Sequence, residues 1–180
     1  MDEFSIDGHK LMYHIPRVSD WLEGKPVYPI YVEISPAGAC NHRCTFCAVD
    51  YIGYQTRYLE KENLKRCLTY MAEHGVKSVM YAGEGEPLLY KHLPEVILHT
   101  KNAGIDVSIT TNAVALTEKF ARETLHSISW IKASVNGGTA ETYAKIHQTK
   151  AIDFERALGN LERAVQIKLE NKYNTAIGIQ

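Results

Sequence analysis

Three cysteines fall within eight residues, in the segment Cys40-Asn41-His42-Arg43-Cys44-Thr45-Phe46-Cys47. The C-x3-C-x2-C spacing lets one short loop wrap a compact inorganic centre with three thiolates. Such a donor set suits zinc with a fourth ligand, or a [4Fe–4S] cube that keeps one iron free. A free iron binds a substrate or cofactor directly instead of only relaying electrons. The zinc reading needs His42, His74 or Cys67 as its fourth ligand. Cys67 occupies an apolar helical stripe and reads as a buried core thiol. With no obvious fourth ligand, the open cluster gains weight.

Three further segments carry residues suited to binding. Ala82-Gly83-Glu84-Gly85-Glu86-Pro87-Leu88-Leu89 interrupts a strand-to-helix pattern, and its glycines let backbone groups approach a ligand closely. Thr110-Thr111-Asn112-Ala113 and Ile131-Lys132-Ala133-Ser134-Val135-Asn136-Gly137 each end a β-prone run in hydroxyl and amide side chains. Taken singly, these are also ordinary turn formers.

The elements that must position these segments alternate along the chain. Strands are expected at Ile30–Ile34, Val76–Ala82, Ile105–Thr110 and Ile128–Val135, with a fifth from Asn174 to Gln180. Helices are expected from about Glu60 to His74 with Gly75 as the stop, at Leu93–Ala103 before Gly104, and from the Thr117 cap to about His126. Two more follow at Ala140–Ile146 and from Asp153 to about Asn171, with Asp153 as cap. The first helix carries Leu64, Cys67, Leu68 and Met71 at helical spacing. This alternation specifies an α/β fold with a parallel sheet and right-handed crossovers. Every motif lies at or just after the carboxyl end of a strand, where such folds bind their ligands. Residues 1–29, broken by Pro16, Pro26 and Pro29, read as an N-terminal extension, and residues 30–180 as one core domain.

With the four segments assembled in order, the chain resembles the radical S-adenosylmethionine (SAM) enzymes. The cysteine spacing with an aromatic, Phe46, before the last cysteine is similar to the signature of that superfamily. Gly85, Glu86 and Pro87 match its Gly-Gly-Glu-Pro segment, with Glu84 in place of the first glycine. The resemblance covers roughly residues 30–180 and implies that Cys40, Cys44 and Cys47 hold a [4Fe–4S] cluster. It implies SAM contacts from Phe46 near the adenine, from Gly85 and Glu86 near the methionyl amino group, and from Thr110, Asn112, Ser134 and Asn136. It also implies reduction by a flavodoxin or ferredoxin, cleavage of SAM to a 5′-deoxyadenosyl radical, and hydrogen abstraction from an unidentified substrate. The alternative is a non-enzymatic metal-binding module, with structural zinc or an electron-transfer cluster.

Composition narrows the remaining classes. Twenty Lys+Arg against twenty-one Asp+Glu leave a net charge of −1 over 180 residues, without the footprint of a nucleic-acid binder. No apolar stretch approaches the roughly 18 residues of a membrane span. The acidic start Met1-Asp2-Glu3-Phe4 is unlike a signal peptide, so a cytoplasmic location is expected. Tyr51, Tyr54 and Arg57 follow the cysteine loop and read as surface or packing residues, with the lining of a substrate pocket as the alternative, and His9 and His14 read as structural or solvent-facing. The family's core is a partial (β/α)6-type TIM barrel of six strands, of which five can be counted here. A truncated barrel would expose the edge of its last strand, so a further C-terminal segment or a partner chain is expected to cover it.

Overall fold

A computed structural model describes residues 10–180; His9 lies outside the described residues. The elements run α1 (Ile15–Leu22), β1 (Tyr31–Ile34), α2 (Ala48–Ile52), α3 (Lys61–Glu73), β2 (Ser78–Tyr81), α4 (Leu93–Asn102) and β3 (Asp106–Thr111). They continue with α5 (Glu118–Thr124), β4 (Trp130–Ala133), α6 (Ala140–His147), α7 (Ile152–Asn171) and β5 (Ala176–Ile179). Short 3-10 turns at Lys10–His14, Pro87–Leu89 and Leu125–Ser127 join them. Strand order in the sheet equals chain order, and all four pairings are parallel. This is the α/β, partial-barrel arrangement anticipated from the alternating pattern.

One row across the sheet shows why these strands form. Ile34 pairs with Tyr81, Tyr81 with Ile109, Ile109 with Ile131 and Ile131 with Ile177. Tyr81, Ile109 and Ile131 are fully buried, and the Tyr81 hydroxyl reaches Thr100 of α4 at 2.6 Å. β-branched and aromatic residues on this face pack against the helices. Each such side chain contributes roughly 1.5–3 kcal/mol by leaving water. Helices α3, α4, α5 and α7 pack side by side along the sheet, and α6 packs on α7. The helix starts follow local chemistry: Glu60 accepts from the Glu62 and Asn63 N–H groups, Thr117 from Phe120, and Thr139 from Thr142.

The structure corrects two expectations and adds one element. Asp153 does not cap α7; the N-cap is Ala151, without a side-chain bond. Asp153 lies inside the first turn, where its carboxylate accepts from the Thr149 hydroxyl and the Arg156 guanidinium. Cys67 is exposed rather than buried, because α3 lies at the flank of the sheet and buries only the narrow stripe of Leu64 and Leu68. The extension before β1 contains a helix, α1, because Pro16 falls in its first turn, where the missing N–H costs nothing. Arg17 fastens α1 to the body by donating to the Gly75 carbonyl at 3.0 Å. Among the described residues, no helix is long and apolar enough to cross a membrane.

Candidate functional site

The cysteine loop leaves β1 and is pinned twice near its start. Gly38 N–H donates to the Arg57 carbonyl at 2.8 Å, and Asn112 Nδ2 donates to Asn41 Oδ1 at 2.7 Å. The middle of the loop docks on the carboxyl end of α6: Arg43 N–H donates to the His147 carbonyl at 3.0 Å and Thr45 N–H to the Ile146 carbonyl at 2.9 Å. Those carbonyls belong to a final helical turn and have no partner within their own helix. Cys47 is the N-cap of α2 and closes a turn on Cys44.

All three cysteines are free and half-buried. The Tyr54 hydroxyl donates to Cys47 Sγ at 3.4 Å, while the Arg43 guanidinium lies 4.1 Å over the Tyr54 ring. Cys44 Sγ lies 3.3 Å from His147 Nδ1. Burial raises the Cys40 thiol pKa. Burial, reinforced by Cys40 and Cys47, pushes Cys44 up to about 11. Bound iron or zinc must therefore displace protons from thiols.

The glycine-rich segment after β2 faces this loop from across the cleft. At Gly85 a Cβ would collide with the Ala37 and Ala39 carbonyl oxygens, so this turn admits only glycine. Gly83 has φ +101, and a Cβ there would lie 2.7 Å from Ser35 Cβ. Glu86 is turned inward and buried, accepting from the Thr111 hydroxyl at 2.6 Å, the Asn112 N–H at 2.8 Å and the Leu88 N–H at 3.0 Å. Burial raises its pKa against the pull of those three donors.

A cleft of about 160 Å³ brings together Cys40, Cys44, Cys47, Phe46, Gly85, Glu86, Thr110, Asn112 and Ser134. Asn136 is not part of its lining. It is exposed, has φ +54, and its N–H donates to the Gln180 carbonyl beyond β5. His42, His147, Tyr54 and Thr111 line the same cleft. His42 is a zinc-ligand candidate from the sequence, and Tyr54 takes the pocket-lining alternative to its surface or packing reading. The sequence carries no signal for His147, which reaches Cys44 only through the packing of α6. Tyr51 is 95% exposed, Arg57 pairs with Glu84 at 3.3 Å, and His14 is the half-exposed residue that starts α1.

Residues 34–180 match the family model described as the Radical SAM superfamily. The chain belongs to that superfamily, whose cofactors are a [4Fe–4S] cluster and SAM. Among similar proteins, a GTP 3′,8-cyclase of Chlorobaculum tepidum is 32% identical over 148 residues, 81% of this chain and 44% of that protein. An S-adenosylmethionine-dependent nucleotide dehydratase of Lacinutrix mariniflava is 33% identical over 112 residues, 59% of this chain and 23% of that protein. The fold is similar to Streptococcus suis SuiB bound to S-adenosylmethionine, with TM-score 0.65 and 17% identity, over 99% of this chain and 48% of SuiB. The chain thus spans less than half the length of these relatives. Its donor set fits the family's cluster: three thiols share one cleft, and Cys67, the remaining cysteine, sits exposed on α3.

Proposed function

We propose that this chain forms the radical-generating part of an enzyme, with Cys40, Cys44 and Cys47 as cluster ligands. The observation that carries this reading is the shared cleft, in which three thiols face the glycine turn and the ends of β3 and β4. When bound, the reduced cluster and SAM supply a 5′-deoxyadenosyl radical able to take hydrogen from an unactivated carbon. The protein's own contribution is placement. Phe46, 63% exposed beside the cysteines, offers an aromatic face to an adenine. Gly85 lets the turn after β2 pack directly on the Ala37–Ala39 backbone that leads into the cysteine loop, which sets the turn on the wall of the cleft. The Thr110 hydroxyl, now on Met80 Sδ at 3.3 Å, and Ser134 offer polar contacts at two strand ends.

Glu86 and Asn112 act differently in this reading. The Glu86 carboxylate spends its acceptors on the protein and ties the loop after β2 to the end of β3. Asn112 ties β3 to the cysteine loop through Asn41. Both hold the walls of the cleft at fixed separation. Asn136 contributes through the turn it makes after β4. Reduction by a flavodoxin- or ferredoxin-type protein completes the reading, and hydrogen abstraction falls on a substrate held partly by other segments.

The test is anaerobic reconstitution with iron and sulfide, followed by dithionite and SAM. Formation of 5′-deoxyadenosine that disappears in Cys44→Ala supports the reading. A folded protein that has been stripped of zinc with a chelator, yet stays colourless with iron and sulfide in excess and forms no 5′-deoxyadenosine, would overturn it.

A further inference from the structure

His42 and His147 lie 105 positions apart in the chain and meet as a buried pair beneath the cysteine loop, with their Nδ1 atoms 3.2 Å apart. His147 Nδ1 is also 3.3 Å from Cys44 Sγ, and the three donor atoms all lie within 4.8 Å of one another. The far nitrogen of His147 donates to the Val135 carbonyl at 2.9 Å, so its Nδ1 presents a lone pair to the group. One proton must then sit between the two Nδ1 atoms, and it comes from His42. That leaves His42 Nε2 bare. It is buried and has no hydrogen-bond partner. The group it faces is another acceptor, Asp153 Oδ2, at 3.9 Å.

A cation in place of the shared proton resolves this arrangement. Both Nδ1 lone pairs become ligands, and the His42 hydrogen moves to Nε2, where it faces the Asp153 carboxylate. Each imidazole then has its far N–H directed at a carbonyl or carboxylate, the usual support of a metal-bound histidine. Asp153 is itself steadied by Thr149 and Arg156. Tetrahedral zinc, with bonds of roughly 2.0–2.1 Å to nitrogen and 2.3 Å to sulfur, places neighbouring donors about 3.3–3.6 Å apart. The observed separations of 3.2 and 3.3 Å need only a small expansion.

We propose that the cluster-free protein holds a zinc-class divalent ion at His42 Nδ1, Cys44 Sγ and His147 Nδ1, with water from the cleft as the fourth ligand. Binding sends the Cys44 thiol proton to solvent and involves no change of oxidation state. The ion site itself does not depend on the radical SAM reading. Its competition with cluster assembly does, because that rests on Cys44 serving both centres.

The experiment is anaerobic titration of the metal-free 180-residue chain with Co2+, read by tetrahedral ligand-field bands and a thiolate-to-cobalt absorption, with Zn2+ displacing the cobalt. One ion per chain is expected. The double variant Cys40→Ala/Cys47→Ala retains the spectrum and Cys44→Ala loses it. His42→Leu and His147→Gln weaken binding at least tenfold. Asp153→Asn, which leaves both rings in place, weakens it about tenfold. Circular dichroism of each variant separates lost ligation from lost fold. Absence of stoichiometric binding by the folded wild-type chain overturns the proposal. So does cobalt binding that is lost in the Cys40/Cys47 variant yet unchanged in His42→Leu and Asp153→Asn, which would mark a three-cysteine site. Failure to form 5′-deoxyadenosine, by contrast, bears only on the radical SAM reading.

Discussion

The Thr111 hydroxyl donates to the buried Glu86 carboxylate at 2.6 Å and thereby joins the end of β3 to the loop that follows β2. The backbone N–H groups of Asn112 and Leu88 donate to the same carboxylate. An anion surrounded by three donors is satisfied only while it remains an acceptor at every position.

Glu86→Gln keeps the shape but turns an NH2 group toward donors. A loss of about 1–3 kcal/mol is expected, the cost of an unsatisfied buried polar group. Urea denaturation checks it, and an unchanged midpoint with an unchanged slope would count against the role given to Glu86.

Gly85→Ala places a methyl group against the Ala37 and Ala39 carbonyls, so the turn or the cysteine loop must shift. Overpacking of this kind costs about 1–3 kcal/mol. Because each 1.4 kcal/mol is about tenfold in affinity, SAM binding to the reconstituted protein should weaken by roughly one order of magnitude or more. Calorimetric titration under anaerobic conditions measures it. Wild-type affinity would show that the turn is not part of the binding wall.

The raised pKa of Cys44, about 11, sets how the cluster-free protein reacts with electrophiles. Only the thiolate is alkylated, and its fraction grows about tenfold per pH unit below the pKa. Iodoacetamide labelling of Cys44 followed by peptide mass spectrometry should therefore accelerate about tenfold between pH 7 and pH 8, and again by pH 9. Labelling that levels off between pH 8 and pH 9 would mean that the thiol ionises at its ordinary value.

Burial, with a smaller contribution from His147, lowers the pKa of His42 to about 4, whereas an unfolded histidine titrates near 6.5. Between these values the unfolded chain binds the proton and the native chain does not. The stability held above pH 6.5 is consequently lost as pH falls toward 4. His42→Leu removes this contribution. The gap in urea midpoint between pH 7.5 and pH 5 should be smaller in the variant than in the wild type. Equal gaps would refute the assignment.

The strand and helix pattern was legible because hydrophobic spacing along each element matches what the sheet and helices bury. Leu64 and Leu68 on α3 show this, as does the Ile34-to-Ile177 row. Cys67 was misplaced because spacing marks a stripe without giving its width, and the width depends on how many neighbours a helix touches. Asp153 was misread because the same residue type caps a helix or sits one turn inside it; the choice followed from Thr149 and Arg156. The α2 helix is five residues long, too short for any periodicity. For the site, the cysteines and glycines were legible because their chemistry is local. His147 was not, because its meeting with Cys44 is made by α6 crossing back over the loop.

Sequential strand order has a consequence for synthesis. Each βα unit can dock on the one already made, since β1 through β5 pair only with their neighbours in the chain, so the sheet can grow in the order of synthesis. The cysteine loop, however, rests on the last turn of α6, made about a hundred residues later. During translation the three thiols therefore leave the ribosome uncovered, and their shelter arrives only when His147 has been added. The loop thus stays without its α6 cover for roughly 5–20 seconds, the time needed to make those residues at about 5–20 residues per second.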